Sequence, residues 1–446
     1  MVLENRDKKY IRNRIAMFLL VVMATFLIAD QYLLPPNYQN IMAEFAINEA
    51  KVGMISTIFV ISGVIVTSIW GFLSDIKGRK KLLVVGVLLG EIPCFLTAFV
   101  QSYPQLLLTR IFTGIGVGSL IPIGYSLISD IYDEDNRGKG FGYIHVALGL
   151  GSLVGMIFAG MIASWRTPFI MVSVPNFFIA PIFYFVLVEP KRGEGDKELK
   201  KSLKEGAEYK YDIDLDTIKK SFKTRTNLLI FTQGIMGMVP WGVLTYWLVS
   251  FLMVTKGMVK TTATFVLLIV GTATVIGSLV GGVLGDYFER KFRGGRAVLV
   301  GVSIFIGMIA SIGLILYPIP STLDTVDWIL IGVYSFVFLQ MITFPAPNVP
   351  AVISHVNLPE DRGTVFGVFN ILNQAGMAVG PWFAGSIVGV LLGMGYVKPW
   401  AYQNAMIIGA LFWLPSSIIW LWLKKQYPDD RDDVKDILEK RAEELD

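Results

Sequence analysis

The chain has 446 residues, 54% of them hydrophobic and only 17% charged, with a formal net charge of +4. A soluble domain carries roughly 25% charged residues, so this composition excludes an ordinary soluble enzyme and points to a protein that crosses a membrane many times. The single cysteine, Cys94, excludes an internal disulfide and leaves the redox compartment open.

The chain starts with the basic stretch "MVLENRDKKYIRNR". The apolar run behind it is long and lacks a small-residue cleavage site, so it reads as a retained helix, not a removed signal. Twelve apolar segments follow, at 14–36, 50–73, 82–101, 105–129, 139–162, 167–188, 227–254, 261–285, 297–317, 328–352, 364–391 and 400–423. Each approximates the ~20 residues a helix needs to cross the hydrocarbon layer. Helices are required because lipid offers no partner to an unpaired backbone group. The expected organisation is an N-terminal six-helix bundle (1–188), a cytoplasmic linker (189–226), a C-terminal six-helix bundle (227–423) and a cytoplasmic tail (424–446). The linker is rich in Lys and Glu and reads as a solvated connection or a regulatory site. In the tail, Val434, Ile437, Leu438 and Leu445 recur at helical spacing, which predicts a short amphipathic helix.

Cations set the orientation. With the N-terminus inside, the inner segments hold 33 of the 39 Lys and Arg residues and the outer loops 5. Both termini are therefore expected in the cytoplasm, with the protein in the cell membrane. The halves also resemble each other. "NRGKGFG" at 136–142 matches "DRGTVFG" at 361–367, and without a gap Gly151, Gly155, Ala159 and Gly160 align with Gly376, Gly380, Ala384 and Gly385.

"GFLSDIKGRKK", Gly71 to Lys81, follows the second segment, and "GVLGDYFERK", Gly282 to Lys291, echoes it in the second half. Gly71 lets a helix approach, Gly78 permits a turn, and Asp75 can accept hydrogen bonds from a helix N-terminus or an arginine. Gly71, Leu73, Asp75, Gly78, Arg79 and Lys80 match the pattern Gly-x-Leu-x-Asp-x-x-Gly-Arg-Lys. Here the chain resembles the major facilitator superfamily. The resemblance implies an all-α fold of twelve transmembrane helices in two six-helix bundles, with substrate bound between them. It also implies a conformational latch at Gly71, Asp75, Gly78 and Arg79, extended to Asp286, Arg137 and Arg362. A plain positive-inside anchor explains the cations but not Asp75 or the glycines.

Four ionisable residues fall inside spans: Asp30, Glu91, Arg110 and His145. A charge at mid-helix costs about 2.5–3.5 kcal/mol on insertion scales, so each needs a reason. Asp30 lies late in a helix running outward and Arg110 early in one running inward, so both fall at comparable depth and are expected to pair, as a proton-sensitive couple or a structural bridge. "RIFTGIG", Arg110 to Gly116, resembles the Arg-x-x-x-Gly-x-Gly motif of proton-coupled members of the superfamily. Glu91 suits an interfacial or a coupling role. His145 suits titration near neutral pH or a neutral hydrogen-bonded ring. The candidate substrate residues are Arg110, Gln31 and Tyr32 in the first half and Trp241, Tyr246, Asn348, Asn370, Asn373 and Gln374 in the second. The amides equally suit glue between helices.

Within the superfamily, the stretch from Asp30 to Gly193 is similar to the Spinster lipid transporters, through "LLTRIFTGIGVG", "SLISDIYDEDNRGKGFG", "WRTPF" and "EPKRG". Gln31 stands where that family commonly has Arg, and Val117 where it has a fourth-helix Glu. The implied activity is secondary active transport by alternating access, proton-coupled, of an amphipathic or anionic molecule, lysophospholipid-like by preference. The alternatives are an organic-anion or multidrug transporter of the same fold, or a non-transporting membrane sensor. No phosphate-cradling loop, metal-ligand cluster or catalytic triad is evident, so no enzyme activity, cofactor, metal or nucleic-acid partner is expected, and a monomer is.

Overall fold

The structure, a computed structural model, describes the backbone of residues 2–132, 137–190, 224–318, 325–357 and 362–443, with side chains described there except at 2–10, 75, 137–139, 267–275, 325, 327–328, 362–363 and 438–443. The described elements are helices, with no strand among them. By internal contacts the chain divides into two units, Met1–Tyr211 with Lys260–Phe265, and Asp212–Val259 with Val266–Asp446.

The first unit contains α1 (Val2–Ala29), two 3₁₀ turns (Asp30–Tyr32 and Pro35–Asn37), α2 (Tyr38–Phe45), α3 (Glu49–Lys77), α4 (Arg79–Thr97), α5 (Tyr103–Val117), α6 (Leu120–Ile131), α7 (Arg137–Met161) and α8 (Thr167–Val186). The second contains α9 (Arg225–Lys256), most of α10 (Lys260–Lys291), α11 (Gly295–Leu316), α12 (Thr325–Thr343), α13 (Pro345–His355), α14 (Arg362–Gly393), α15 (Lys398–Leu411) and α16 (Trp413–Glu443).

Ten described stretches are long and apolar enough to cross a membrane. The segments expected at 82–101 and 261–285 are present as α4 and α10 but fall outside those ten. In α4 the cations Arg79, Lys80 and Lys81 and the acid Glu91 share nineteen residues.

Four segments read as continuous are broken. The first gives way to a 3₁₀ turn at Asp30. The fourth breaks at Gly118–Ser119, where the Ser119 hydroxyl donates to the Gly116 carbonyl (2.7 Å) and so competes with the backbone ladder. The tenth breaks at Phe344, ahead of Pro345, Pro347 and Pro350, each lacking a backbone donor. The twelfth breaks at Phe412. In contrast, the tail helix is no separate element, because α16 carries the last segment straight on to Glu443.

Close helix crossings organise each unit. A Cβ on Gly116 would collide with the Gly90 backbone of α4, and one on Gly114 with the Phe59 carbonyl of α3. Helix α5 is thereby wedged between α3 and α4. A Cβ on Gly151 would lie 2.7 Å from the Thr25 carbonyl, and one on Gly155 would strike that of Ala29, so α7 rides directly on α1. In the second unit Gly376 and Gly380 of α14 meet the α9 backbone at Ile235 and Gly242–Val243 in the same manner. Around these crossings the first unit's core is apolar, with Leu20, Leu27, Leu83, Val87, Ile123, Leu127, Ile144 and Phe183 all buried.

Candidate functional site

Asp30 opens the 3₁₀ turn at the end of α1, immediately after the Ala29 carbonyl on which Gly155 of α7 rests. Arg110 lies one turn before the two glycines that let α5 sink between its neighbours. The two side chains meet deep in the unit, 1% and 0% exposed. Arg110 Nη1 donates to both Asp30 oxygens, at 2.9 Å to Oδ1 and 2.7 Å to Oδ2. Arg110 Nη2 donates to Thr97 Oγ1 (2.6 Å) and Thr113 Oγ1 (3.4 Å). These hydroxyls in turn donate to the carbonyls of Pro93 and Thr109. The Cys94 thiol donates to Asp30 Oδ1 across 3.0 Å, and the guanidinium lies 5.0 Å from the centre of the Phe169 ring. Arg110 Nε has no partner.

Glu91, one turn before Cys94 on α4, is also fully buried. Asn176 Nδ2 of α8 donates to Glu91 Oε1 (2.6 Å) and to the Met23 carbonyl of α1 (3.0 Å). Three ionisable groups expected from the sequence thus share one buried region. Two acids compete for one cation there, and the cation is taken by Asp30.

His145 is not brought to this cluster. It sits exposed on α7, with Nδ1 3.1 Å from the Phe141 carbonyl of its own turn and its ring stacked 6.3 Å from Tyr125. Gln31 and Tyr32 continue the turn after Asp30 and are half-buried. In the second unit Tyr246 is buried, Trp241 and Asn373 are half-buried, and Asn370 and Gln374 are exposed on α14. Asn348 is not free to bind a ligand in this structure. Its Oδ1 accepts from Arg296 Nη1 (3.0 Å), and its Nδ2 donates to the carbonyls of Gly281 (2.9 Å) and Phe344 (2.7 Å). It is glue between helices.

At the motif of residues 71–81, Gly78 separates α3 from α4 at φ +87°, a conformation that side chains disfavour. Gly71 faces Pro122 at ordinary contact distance. Arg79 is buried, pairs with Asp130, and donates to the carbonyls of Ser126 (3.2 Å) and Pro190 (3.2 Å). Glu189 Oε1 caps the start of α4, accepting from the amides of Arg79 (2.6 Å) and Lys80 (3.4 Å). In the echo, Asp286 pairs with Arg296, while Glu289 accepts from the Arg296 amide (3.1 Å) and from Arg431 Nη1 (2.5 Å). The side chains of Asp75, Arg137 and Arg362 lie outside the described residues.

From the sequence alone Cys94 stands out only as the lone cysteine and Phe169 only within "WRTPF", while Thr97 and Asn176 do not stand out. A signal was present: Glu91, Cys94 and Thr97 repeat at three-residue steps along α4, and Ser173 and Asn176 are polar i, i+3 neighbours in an otherwise apolar α8.

Each unit is built from apolar helices long enough to span a membrane, and a charge pair is buried inside the first. The chain belongs to the Major Facilitator Superfamily, whose family model matches residues 20–381. It is a multi-pass membrane transporter, not an enzyme. It is 28% identical to protein spinster of Drosophila melanogaster over 219 residues, 48% of this chain but only 35% of that protein. It is 24% identical to the cis,cis-muconate transport protein of Acinetobacter baylyi over 410 residues, 90% of this chain and 92% of that one. Among solved structures, an inward-facing, unoccupied bacterial homologue of the human lysosomal transporter Spinster superposes with a TM-score of 0.78 at 18% identity, covering 94% of this chain and 98% of its own.

Proposed function

We propose that this transporter moves an amphipathic or anionic small molecule, lysophospholipid-like by preference, by alternating access of its two halves, and that protons drive it through the Asp30–Arg110 couple. The observation that carries the reading is that pair, held by two hydrogen bonds with both side chains at most 1% exposed. A buried ion pair is weak evidence of a stabilising role, because desolvation offsets the attraction. A charge pair kept in a membrane interior therefore calls for a function. Proton uptake by Asp30 removes the carboxylate and frees Arg110 for the negative group of the substrate. Proton loss restores the pair and favours release.

Asp30→Asn mimics the protonated state. In sealed vesicles it is expected to keep substrate binding while abolishing the dependence of flux on a pH gradient, and Arg110→Ala is expected to lose both. An Asp30→Asn protein that still accumulates substrate down a proton gradient like the wild type would remove Asp30 from the coupling role.

A small organic anion is the second reading. It is supported by the alignment with a protein named for muconate transport over 90% of this chain, and by Gln31 and Val117, which depart from the Spinster pattern. A thermal-shift screen of lysolipids, fatty acids, organic acids and sugars separates the two, and stabilisation by sugars alone would overturn both. We further propose that residues 1–188 and 227–423 are the two moving halves, with both termini cytoplasmic in the cell membrane. Labelling of single cysteines placed at each end, in a protein whose sole native cysteine is buried, tests the orientation.

A further inference from the structure

The Glu91 side chain is fully buried, and its Oε2 has no partner. The Oδ1 of Asn176 is likewise buried and unpartnered. The two orphan atoms belong to groups already joined, since Asn176 Nδ2 donates to Glu91 Oε1 across 2.6 Å. An ionised Glu91 gives no relief, because a carboxylate only accepts and the amide's own donors are both in use, on Glu91 Oε1 and the Met23 carbonyl. Turning the amide over is excluded, because its oxygen would then face the Met23 carbonyl and Glu91 Oε1, two acceptors.

We propose that Glu91 carries a proton on Oε2 and donates it to Asn176 Oδ1, closing a cyclic acid–amide pair while Asp30 stays ionised on Arg110. One proton then satisfies both orphan atoms. The charged groups acting on Glu91 are Asp30 from the end of α1 and Arg110 from α5, with the Cys94 thiol on its own helix. Asn176 from α8 is neutral. With Glu91 neutral, the region holds one anion and one cation. An ionised Glu91 would be a second carboxylate beside a guanidinium already committed to Asp30. The two acids of this site thus hold different protonation states because their partners differ: a cation for one, an amide for the other. Glu91 is a positioning residue that keeps Arg110 dedicated to Asp30.

The inference concerns the same site as the proposed coupling but does not depend on it, and the two fail in different experiments. Infrared spectroscopy of the full-length protein in lipid reads the C=O stretch of a protonated carboxylic acid, which lies above the amide band and moves in D₂O. The expected result is such a band at neutral pH, shifted when glutamate carboxyls carry ¹³C, lost in Glu91→Gln and kept in Asp30→Asn. Glu91→Gln is also expected to keep folded yield, since a glutamine amide can both accept from and donate to Asn176, whereas Glu91→Leu leaves Asn176 without either contact and loses folded protein. The ¹³C arm needs no variant. Absence of the band in the wild type, its insensitivity to glutamate labelling, or its loss in Asp30→Asn instead of Glu91→Gln would overturn the proposal. If flux in Asp30→Asn contradicts the coupling model while the Glu91 band persists, only the coupling model falls.

Discussion

Removing Arg110 alone should be among the most damaging substitutions in the first unit, and removing its partner as well should undo much of the damage. Arg110→Met keeps bulk and apolar character but leaves the Asp30 carboxylate with the Cys94 thiol, at 3.0 Å, as its one described side-chain donor. An uncompensated buried charge costs about 3–5 kcal/mol, and with Asp30 1% exposed no solvent screening reduces that figure. The double variant Asp30→Asn/Arg110→Met removes both charges, and replacing a buried ion pair by neutral, well-packed groups is often neutral or stabilising. The double variant should therefore regain at least about 2 kcal/mol over Arg110→Met. Unfolding free energies in mixed micelles, followed by helical signal, give these differences. The reasoning is refuted if the double variant is as unstable as the sum of the two single ones, or if Arg110→Met costs under about 1 kcal/mol.

Other substitutions probe the scaffold around this pair. Glu189→Ala removes the acceptor at the start of α4 and should cost about 0.5–2 kcal/mol, seen as faster amide exchange at Arg79 and Lys80 with the middle of α4 unchanged. Gly116→Val drives a side chain into the Gly90 backbone, which cannot yield, so the loss should exceed the ~1–3 kcal/mol of ordinary overpacking and appear as a collapse in folded yield. Gly142→Ala is the control: nothing lies within 4 Å of its Cβ position, and the helix should gain about 0.5–1 kcal/mol. Arg293 bonds Asp429 (2.9 Å) and Asp432 (2.7 Å) at the surface, with its side chain 59% exposed. Arg293→Ala should therefore cost less than ~1 kcal/mol and matter less still in high salt, as thermal unfolding at two ionic strengths would report.

Much of this architecture was legible in the sequence because lipid imposes simple rules. Span length follows from the bilayer's thickness and from the need to pair every backbone group, and the matched glycines mark where helix backbones meet. Asp30 and Arg110 stood out because charge in an apolar run is costly wherever it falls. Neutral polar residues send only a weak signal, their helical spacing. Asn176 and Thr97 complete the site, yet an amide or hydroxyl within a span is as readily glue as ligand, and only tertiary contact distinguishes them. Asn348 illustrates this: ligand and glue were both open for its amide, and in the structure each of its polar atoms is bonded to protein. The breaks at Gly118–Ser119 and Phe344 were missed because hydropathy is blind to a hydroxyl that takes a carbonyl or to prolines that remove donors.

The internal repeat keeps one backbone joint and varies the side chains around it. In both units the fifth segment lies on the first through a pair of matched glycines, Gly155 against Ala29 and Gly380 against Gly242–Val243. The residue that follows the contact differs. In the first unit it is Asp30, and in the second it is Leu244, buried and apolar. The repeated feature is thus the backbone joint, whose small residues tolerate no alternative. The neighbouring side chain is free to diverge once the joint is fixed. The echoed loops diverge in the same way: Arg79 pairs with Asp130, while the corresponding region of the second unit pairs Asp286 with Arg296 and ties Glu289 to Arg431 in the last helix. A duplicated scaffold supplies two equivalent joints, and only the first of them carries a carboxylate beside it.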